Sequence, residues 1–402
     1  MYMNSLFQVL GIQNDIQLKT FSKSSGVSVQ KLKYYHDNEI FPAGNDLQNI
    51  MSTAGLNETM LRLQLGVFNN SLLDAICKNA SEIEGLIGDL HDNHPRQDHG
   101  QIFSTSYGTM YQGDCLSLME TLEKESVDLI FADPPFNLNK IYESGINDFR
   151  DENDYLAWTE RWVLKCVDLL KDGGSLFIWN LPKWNSYISF ILNQYLTFRH
   201  WIAADIKFSL PIKNKLYPSH YSLLYYVKGD KPKAFNEQRI PLENCRHCGG
   251  DIRDYGGYKD KLNINGINLT DVWYDIPPVR HSKYKNRDSN ELSLKLLERV
   301  ISMASNEGDM VFDPFGGSGT TYIVAEILKR KWIGIEIGDV SLIQKRFEDI
   351  DTQREYIADI QKNKNVLFTA ETRKKRIKNG HWLPETLKKN SKDDEQLEIN
   401  WK

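Results

Sequence analysis

The stretch Met310-Val311-Phe312-Asp313-Pro314-Phe315-Gly316-Gly317-Ser318-Gly319-Thr320-Thr321 reads as a strand, a glycine-rich turn and the start of a helix. Downstream, Lys331-Trp332-Ile333-Gly334-Ile335-Glu336 reads as a second strand that ends in an acid. Strand, helix and strand in series fit a layered α/β domain. Glycines let a ligand approach the backbone, and a helix N-terminus offers unpaired N–H groups. The turn does not continue as Gly-Lys-Ser/Thr and lacks G-x-G-x-x-G spacing, so an NTPase loop and a dinucleotide loop both lose ground.

A carboxylate at the Glu336 position can accept both hydroxyls of a ribose, which points to a nucleoside. A nucleoside cradle without phosphate-binding residues suits S-adenosylmethionine, whose other end carries a sulfonium and an amino acid. A second loop, Asp133-Pro134-Pro135-Phe136, follows the apolar run Val127 to Ala132. Its prolines fix their own φ and restrict the residue before them, which holds the Asp133 carboxylate and the loop carbonyls in a defined fan. That fan accepts hydrogen bonds from an amine, and the ring of Phe136 offers a stacking face, as a site for an extruded nucleobase requires. Taken alone, Asp-Pro-Pro is equally an ordinary turn.

Strands and helices alternate from Tyr107 onward. Strands are expected at Met110–Gln112, Val127–Ala132, Ser175–Asn180, Ile202–Phe208, Ser222–Lys228, Met310–Asp313 and Trp332–Glu336, and helices at Glu152–Leu170, Glu291–Ala304 and Thr320–Lys329. Residues 1 to 90 read as short helices without a strand, and 91–106 as a polar linker. The rest divides into 107–230 and 286–350 as the two halves of one α/β domain, 231–285 as an insertion and 351–402 as a basic extension. With 402 residues and 41% hydrophobic content there is room for one large and one small domain.

A net charge of −5 excludes a uniformly basic coat, so contact with nucleic acid must come from local patches. Arg280, Lys283, Lys285 and Arg287 form one such run, and Arg373, Lys374, Lys375, Arg376 and Lys378 another. No stretch approaches the ~20 apolar residues that span a bilayer, and five cysteines in a chain of this length make no disulfide framework, so a cytoplasmic protein is expected. Cys245-x-x-Cys248 looks like half a zinc knuckle, with His247 and His281 as the remaining candidates. It is read as two cysteines on a tight glycine turn, and no metal is expected.

Gly113-Asp114-Cys115, Asp133-Pro134-Pro135-Phe136-Asn137-Leu138, Asp271-Val272-Trp273, the Asp313–Thr321 loop and Gly334-Ile335-Glu336 together resemble an amino-DNA methyltransferase. The order, with the Asp133 loop before the Asp313 loop, resembles the β group of that family over roughly residues 107 to 345. The resemblance implies a Rossmann-like methyltransferase fold, circularly permuted, with a mostly parallel seven-stranded sheet, beside a small all-α N-terminal domain. It implies S-adenosylmethionine as cofactor, held by Asp313, Pro314, Phe315, Gly316, Gly317, Ser318, Gly319 and Thr320, with Glu336 on the ribose and Asp114 near the adenine. Asn290 would open the helix contacting the methionine end, where this chain departs from the commoner Lys-Pro version. Asp133, Pro134, Pro135 and Phe136 would form the catalytic loop, Phe136 stacking on the flipped base.

In the family it resembles, an Asp at the head of that loop implies adenine N6, with cytosine N4 as the alternative and an inactive domain on a DNA-binding regulator as the rival from another class. The resemblance implies that residues 231–285 occupy the place where this family carries target recognition. Gln17 to Tyr35 reads as helix, Gly turn, helix, with Ser28 as N-cap. It resembles a phage-repressor helix-turn-helix that brings Gln30, Lys31 and Lys33 near duplex DNA; the alternative is a small helical bundle for dimerisation. The expected partner is double-stranded DNA in the nucleoid, and no membrane. A homodimer and a cognate restriction or phage-defence partner are left open.

Overall fold

The computed structural model describes residues 4–87, 99–138, 150–205, 212–214, 216–245, 247–253, 262–263, 266–276 and 291–383. The chain divides into two compact units, Met1–Pro95 with Arg150–Ala157, and Arg96–Phe149 with Trp158–Lys402.

The first unit is helical among its described residues: α1 (Leu6–Val9), α2 (Asp15–Ser25), α3 (Val29–Asp37), α4 (Gly44–Ala54), α5 (Glu58–Leu65), α6 (Asn70–Lys78) and α7 (Ala80–Ile87). Local chemistry punctuates it. Asn14 caps α2 by accepting from Ile16 and Gln17 N–H, and Gly26 ends that helix at φ 70°. Ser28 Oγ then accepts Lys31 N–H at 3.3 Å, so the helix, Gly turn and helix over Gln17 to Tyr35 are present with the expected cap. Leu18, Val27, Leu32 and Ile50 close one small core across α2, α3 and α4, and Leu6, Leu61 and Leu65 another.

The second unit contains β1 (Gly100–Ser104), β2 (Gly108–Gln112), α8 (Cys115–Met119), β3 (Val127–Ala132), α9 (Glu152–Leu169), β4 (Leu170–Asn180), α10 (Pro182–Leu192), β5 (Thr197–Asp205) and β6 (His220–Val227). The short strands β7 (Arg239–Ile240), β8 (Ile267–Asn268) and β9 (Val272–Trp273) follow. Then come α11 (Leu294–Ala304), β10 (Met310–Asp313), α12 (Thr320–Ile327), β11 (Lys331–Glu336), α13 (Ser341–Glu348), α14 (Ile350–Asn363) and α15 (Ala370–Lys378). α9 begins in the segment assigned to the first unit.

One sheet runs in the order β1-β2-β11-β10-β3-β4-β6-β5-β9. β2, β11, β10, β3 and β4 are parallel neighbours, while β6 is antiparallel to both β4 and β5. The chain enters this sheet at β1 and reaches β10 and β11 last, yet these two lie inside it, between β2 and β3. The side-chain period of two explains why the central strands read as continuous apolar runs: both faces are covered. On β3, Leu129 and Phe131 join the layer of α11 and α12, while Ile130 and Ala132 face Trp162, Cys166 and Ile188 from α9 and α10.

Several expectations are corrected. Among the described residues the sheet has nine strands instead of seven, because β1 and β9 extend its two edges. β1 lies inside the stretch read as linker; an edge strand with mostly exposed residues carries no hydrophobic alternation to reveal it. β5 starts at Thr197 rather than Ile202, since its first four residues are exposed. α8 and α10 were not anticipated at all. In the C-terminal basic run, Arg376 is buried instead of solvated: it donates to the carbonyls of Gly249, Gly250 and Trp382 and lies over the Phe368 ring.

Candidate active site

Parallel strands of a layered sheet place their following loops on one edge, which is where such folds bind ligands. Glu336 at the end of β11 is paired with Gln112 of β2, Asp313 of β10 with Gly334 of β11, and Phe312 of β10 with Ile130 of β3. Asp114, Glu336, Asp313 and Asp133 therefore leave the sheet from four successive strands. The two loops singled out in the sequence, 180 positions apart, become neighbours.

The glycine loop is built by hydrogen bonds to its own acids. Buried Asp313 accepts Phe315 N–H at 2.9 Å through Oδ1 and the Thr321 hydroxyl through Oδ2. Burial pushes its carboxyl well above the ordinary carboxylate range; Asp133 and Glu336 push the same way, against those two hydrogen bonds. Glu336 accepts Gly317 N–H at 2.6 Å through Oε2 and Gly338 N–H at 2.8 Å through Oε1. Each carboxylate oxygen accepts more than one bond, so these contacts orient the acid without exhausting it. Gly316 is dictated by a close approach: a Cβ there would stand 2.9 Å from the Ile335 carbonyl and 3.0 Å from Glu336 Cβ. Gly319 takes φ +78° at the N-cap of α12.

Phe315 is wedged by Trp158 and Trp162 of α9, ring centroids 5.7 and 5.1 Å away. Asp114 caps α8, its Oδ1 accepting Leu116 N–H at 3.0 Å and Ser117 N–H at 3.3 Å. Gly113 N–H donates to the Glu336 carbonyl at 3.0 Å, which ties that cap to the end of β11.

In the other loop, Pro134 and Phe136 are buried and Asp133 and Pro135 half-buried. The Phe136 ring is tilted against Tyr221 at 5.8 Å, and Tyr221 against Trp179 at 5.1 Å. Asn137 follows in the left-handed region, φ 53°, turning the chain away.

Two contributors carried no sequence signal. Arg346 of α13 is buried and donates to Ser318 O at 2.7 Å and Thr320 Oγ1 at 3.0 Å, clamping the glycine loop from behind, with Glu291 at 3.6 Å. Trp184 of α10 donates its indole N–H to the Phe136 carbonyl at 2.7 Å. Each reaches its loop from an element distant in sequence, so spacing could not reveal it.

The remaining sites resolve differently. Gln30, Lys31 and Lys33 are exposed on α3 around buried Leu32, but Lys31 is engaged with Asp46 at 2.8 Å and Lys33 with Asp15 at 3.7 Å. Asn290, His281 and the run Arg280, Lys283, Lys285 and Arg287 lie outside the described residues. Cys245 and Cys248 do sit on a tight turn, Gly249 N–H donating to the Cys245 carbonyl at 2.8 Å. N–H groups of Cys248 and His247 reach the Cys245 sulfur and hold its thiol below the ordinary value. Among the described residues no group of three side chains could hold a metal ion, and no helix is long and apolar enough to cross a membrane.

The donor set fits a cationic nucleoside. Asp313 feels two neighbouring carboxylates, and a bound sulfonium or ammonium would relieve that repulsion, whereas a phosphate would aggravate it. A family model described as DNA methylase, of the N6/N4 type, matches residues 127–345. The Type II methyltransferase M.BamHI of Bacillus amyloliquefaciens is 47% identical over 387 residues, covering 94% of this chain and 92% of that protein. The DNA adenine methyltransferase YhdJ of Escherichia coli (strain K12) is 32% identical over 260 residues, 64% of this chain and 87% of that one. The solved PvuII DNA methyltransferase (cytosine-N4-specific) is 22% identical with a TM-score of 0.46 over 65% of this chain and 93% of that chain. With sequence match and site geometry in agreement, this chain belongs to the N6/N4 DNA methylase family, whose methyl donor is S-adenosylmethionine.

Proposed function

We propose that the protein is a site-specific DNA methyltransferase acting on the exocyclic N6 amine of an adenine extruded from duplex DNA. The observation that carries this reading is the meeting of the Asp133 and Asp313 loops at the ends of adjacent parallel strands. When bound, S-adenosylmethionine supplies an electrophilic methyl group on a sulfonium. In this reading Asp313, Pro314, Phe315, Gly316, Gly317, Ser318, Gly319 and Thr320 shape its cradle, Glu336 takes the ribose hydroxyls and Asp114 lies on the adenine side.

The chemical obstacle is the amine, whose lone pair is delocalised into the ring. Asp133 Oδ and the Pro134 carbonyl accept its two N–H bonds, which favours a pyramidal nitrogen with its lone pair directed outward. They also stabilise the positive charge that grows there. Pro134 and Pro135 hold those acceptors still, and Phe136 stacks on the base to offset lost duplex stacking. No covalent intermediate is needed; placement of nitrogen against the methyl group supplies most of the remaining acceleration.

Asp133 at the head of the loop supports adenine, as does the similarity to a relative named as an adenine methyltransferase. The helix, turn and helix of α2 and α3 support a second DNA contact through Gln30, Lys31 and Lys33. Incubating the protein with a DNA library and labelled cofactor, then digesting to nucleosides, tests the reading. N6-methyladenine in one sequence context is expected. N4-methylcytosine would reassign the base while keeping the loop chemistry, and absence of both would overturn the proposal.

A further inference from the structure

The Asp133–Phe136 loop has an unusual deficit: prolines at 134 and 135 remove two consecutive backbone donors, so the loop has fewer means of tying itself down. Its last carbonyl, on Phe136, is buried and is met by the indole N–H of Trp184 at 2.7 Å. Trp184 is 4% exposed and stands in the first turn of α10, directly after β4, the parallel neighbour of β3. Sheet order therefore brings this turn beside the loop, although 48 positions separate the two residues.

The turn itself is bolted to the sheet. Asn185, next in the chain, donates to Ser222 Oγ at 2.7 Å and to Ser222 O at 3.0 Å, and Ser222 Oγ donates to the Asn180 carbonyl at 3.0 Å. Those groups are all buried and span β4, α10 and β6. A rigid triangle thus ends in one donor aimed at the residue whose ring forms the stacking face.

We propose that Trp184 is a positioning residue for methyl transfer: its N–H anchors the Phe136 carbonyl and thereby sets the place of the Phe136 ring and the Pro134 acceptor relative to the methyl donor. The proposal rests on the reading of this loop as the holder of the target amine. Indole is suited to the task because its N–H is a donor only and its large ring, once buried, leaves few alternative rotamers. Small misplacements of reacting groups cost up to about a hundredfold in rate.

The test compares wild type with protein carrying benzothienylalanine at position 184, which keeps the ring shape and replaces the N–H by sulfur, and with Trp184→Phe. The wild type must first methylate DNA in the same assay; if it does not, the reading of the loop fails and not this inference. Single-turnover methylation is expected to fall about tenfold or more in both variants. KM for DNA and for the methyl donor should stay near wild type, and the benzothienylalanine protein, which keeps the buried ring, should melt within a few degrees of wild type. With 2-aminopurine at the target position, its emission should rise on extrusion in every protein, but to a different level in the variants as stacking on Phe136 changes. Wild-type turnover in the benzothienylalanine protein would overturn the proposal. So would a loss that merely follows a drop in melting temperature or a rise in both KM values.

Discussion

Two acids flank strand β3, Asp128 near its start and Asp133 just past its end, and they serve different edges of the sheet. Asp128, near its start, is buried with Lys171 Nζ at 2.6 Å, Lys233 Nζ at 2.9 Å and the Met310 N–H at 3.0 Å. Burial opposes its ionisation, but these three donors prevail and hold its carboxyl below the ordinary 3.8. Asp133, just past its other end, faces the Asp313 side of the site, where acids gather and the buried carboxyl of Asp313 is pushed up. One edge of the sheet joins strands by ion pairs on a buried acid; at the other, Asp133 and Glu336 add to burial in raising the carboxyl of Asp313, and a cationic ligand would favour its ionised form. Perturbation away from neutralised pairs is what marks a functional edge.

That contrast makes separable predictions. Asp133→Ala should lower methyl transfer by about 10²- to 10³-fold, comparable to removing one electrostatic stabiliser of a transition state, with melting temperature and DNA binding retained. A single-turnover assay beside a gel-shift titration checks it, and an equal loss of binding would erase the distinction between the edges. Asp128→Asn should do the reverse, costing about 2 kcal/mol in urea unfolding with turnover per folded molecule unchanged. Because the Asp128 pKa is depressed, its contribution is present above 3.8 and is lost as pH falls through the depressed value. The gap between the two proteins should therefore narrow in acid.

The Asp313 carboxyl has a raised pKa, and a cation favours its ionised form, so binding of S-adenosylmethionine should expel a proton. Affinity measured by calorimetry should rise with pH up to the raised pKa, by as much as about tenfold per pH unit, and level off above it. Asp313→Asn should flatten that dependence; an unchanged slope would assign it to another group. The smallest effect is expected for Lys233→Ala. Its side chain is 54% exposed and Lys171 still serves Asp128, so the loss should stay within about 1 kcal/mol.

How much of this was legible depends on where the information resides. β3 and β10 were found at their observed bounds, since buried central strands are short apolar runs cut by Pro and Gly. The Asp133 and Asp313 loops were equally plain, because φ restrictions and glycine requirements are local. β1 and the first half of β5 were not, being exposed on edge or near-edge strands. Arg376 in the basic run deceived in the other direction: its charge suggested solvent, while the structure uses its fork to tie α15 to the Cys245–Gly250 turn.

The sequence by itself determined the alternation of strands and helices, the positions of the two loops after β3 and β10, and the cap and turn of α2 and α3. These follow from residue types within a few positions of one another. Tertiary structure alone decided that Asp133 influences Asp313, that Arg346 braces the glycine loop, that Trp184 reaches Phe136, and that Asp128 is held by Lys171 and Lys233. Strand order and burial set those relations, and burial sets the cost of a charge. Neither is encoded by any residue alone, because the same aspartate is a structural tie or a reactive group according to what the fold brings within about 3 Å of it.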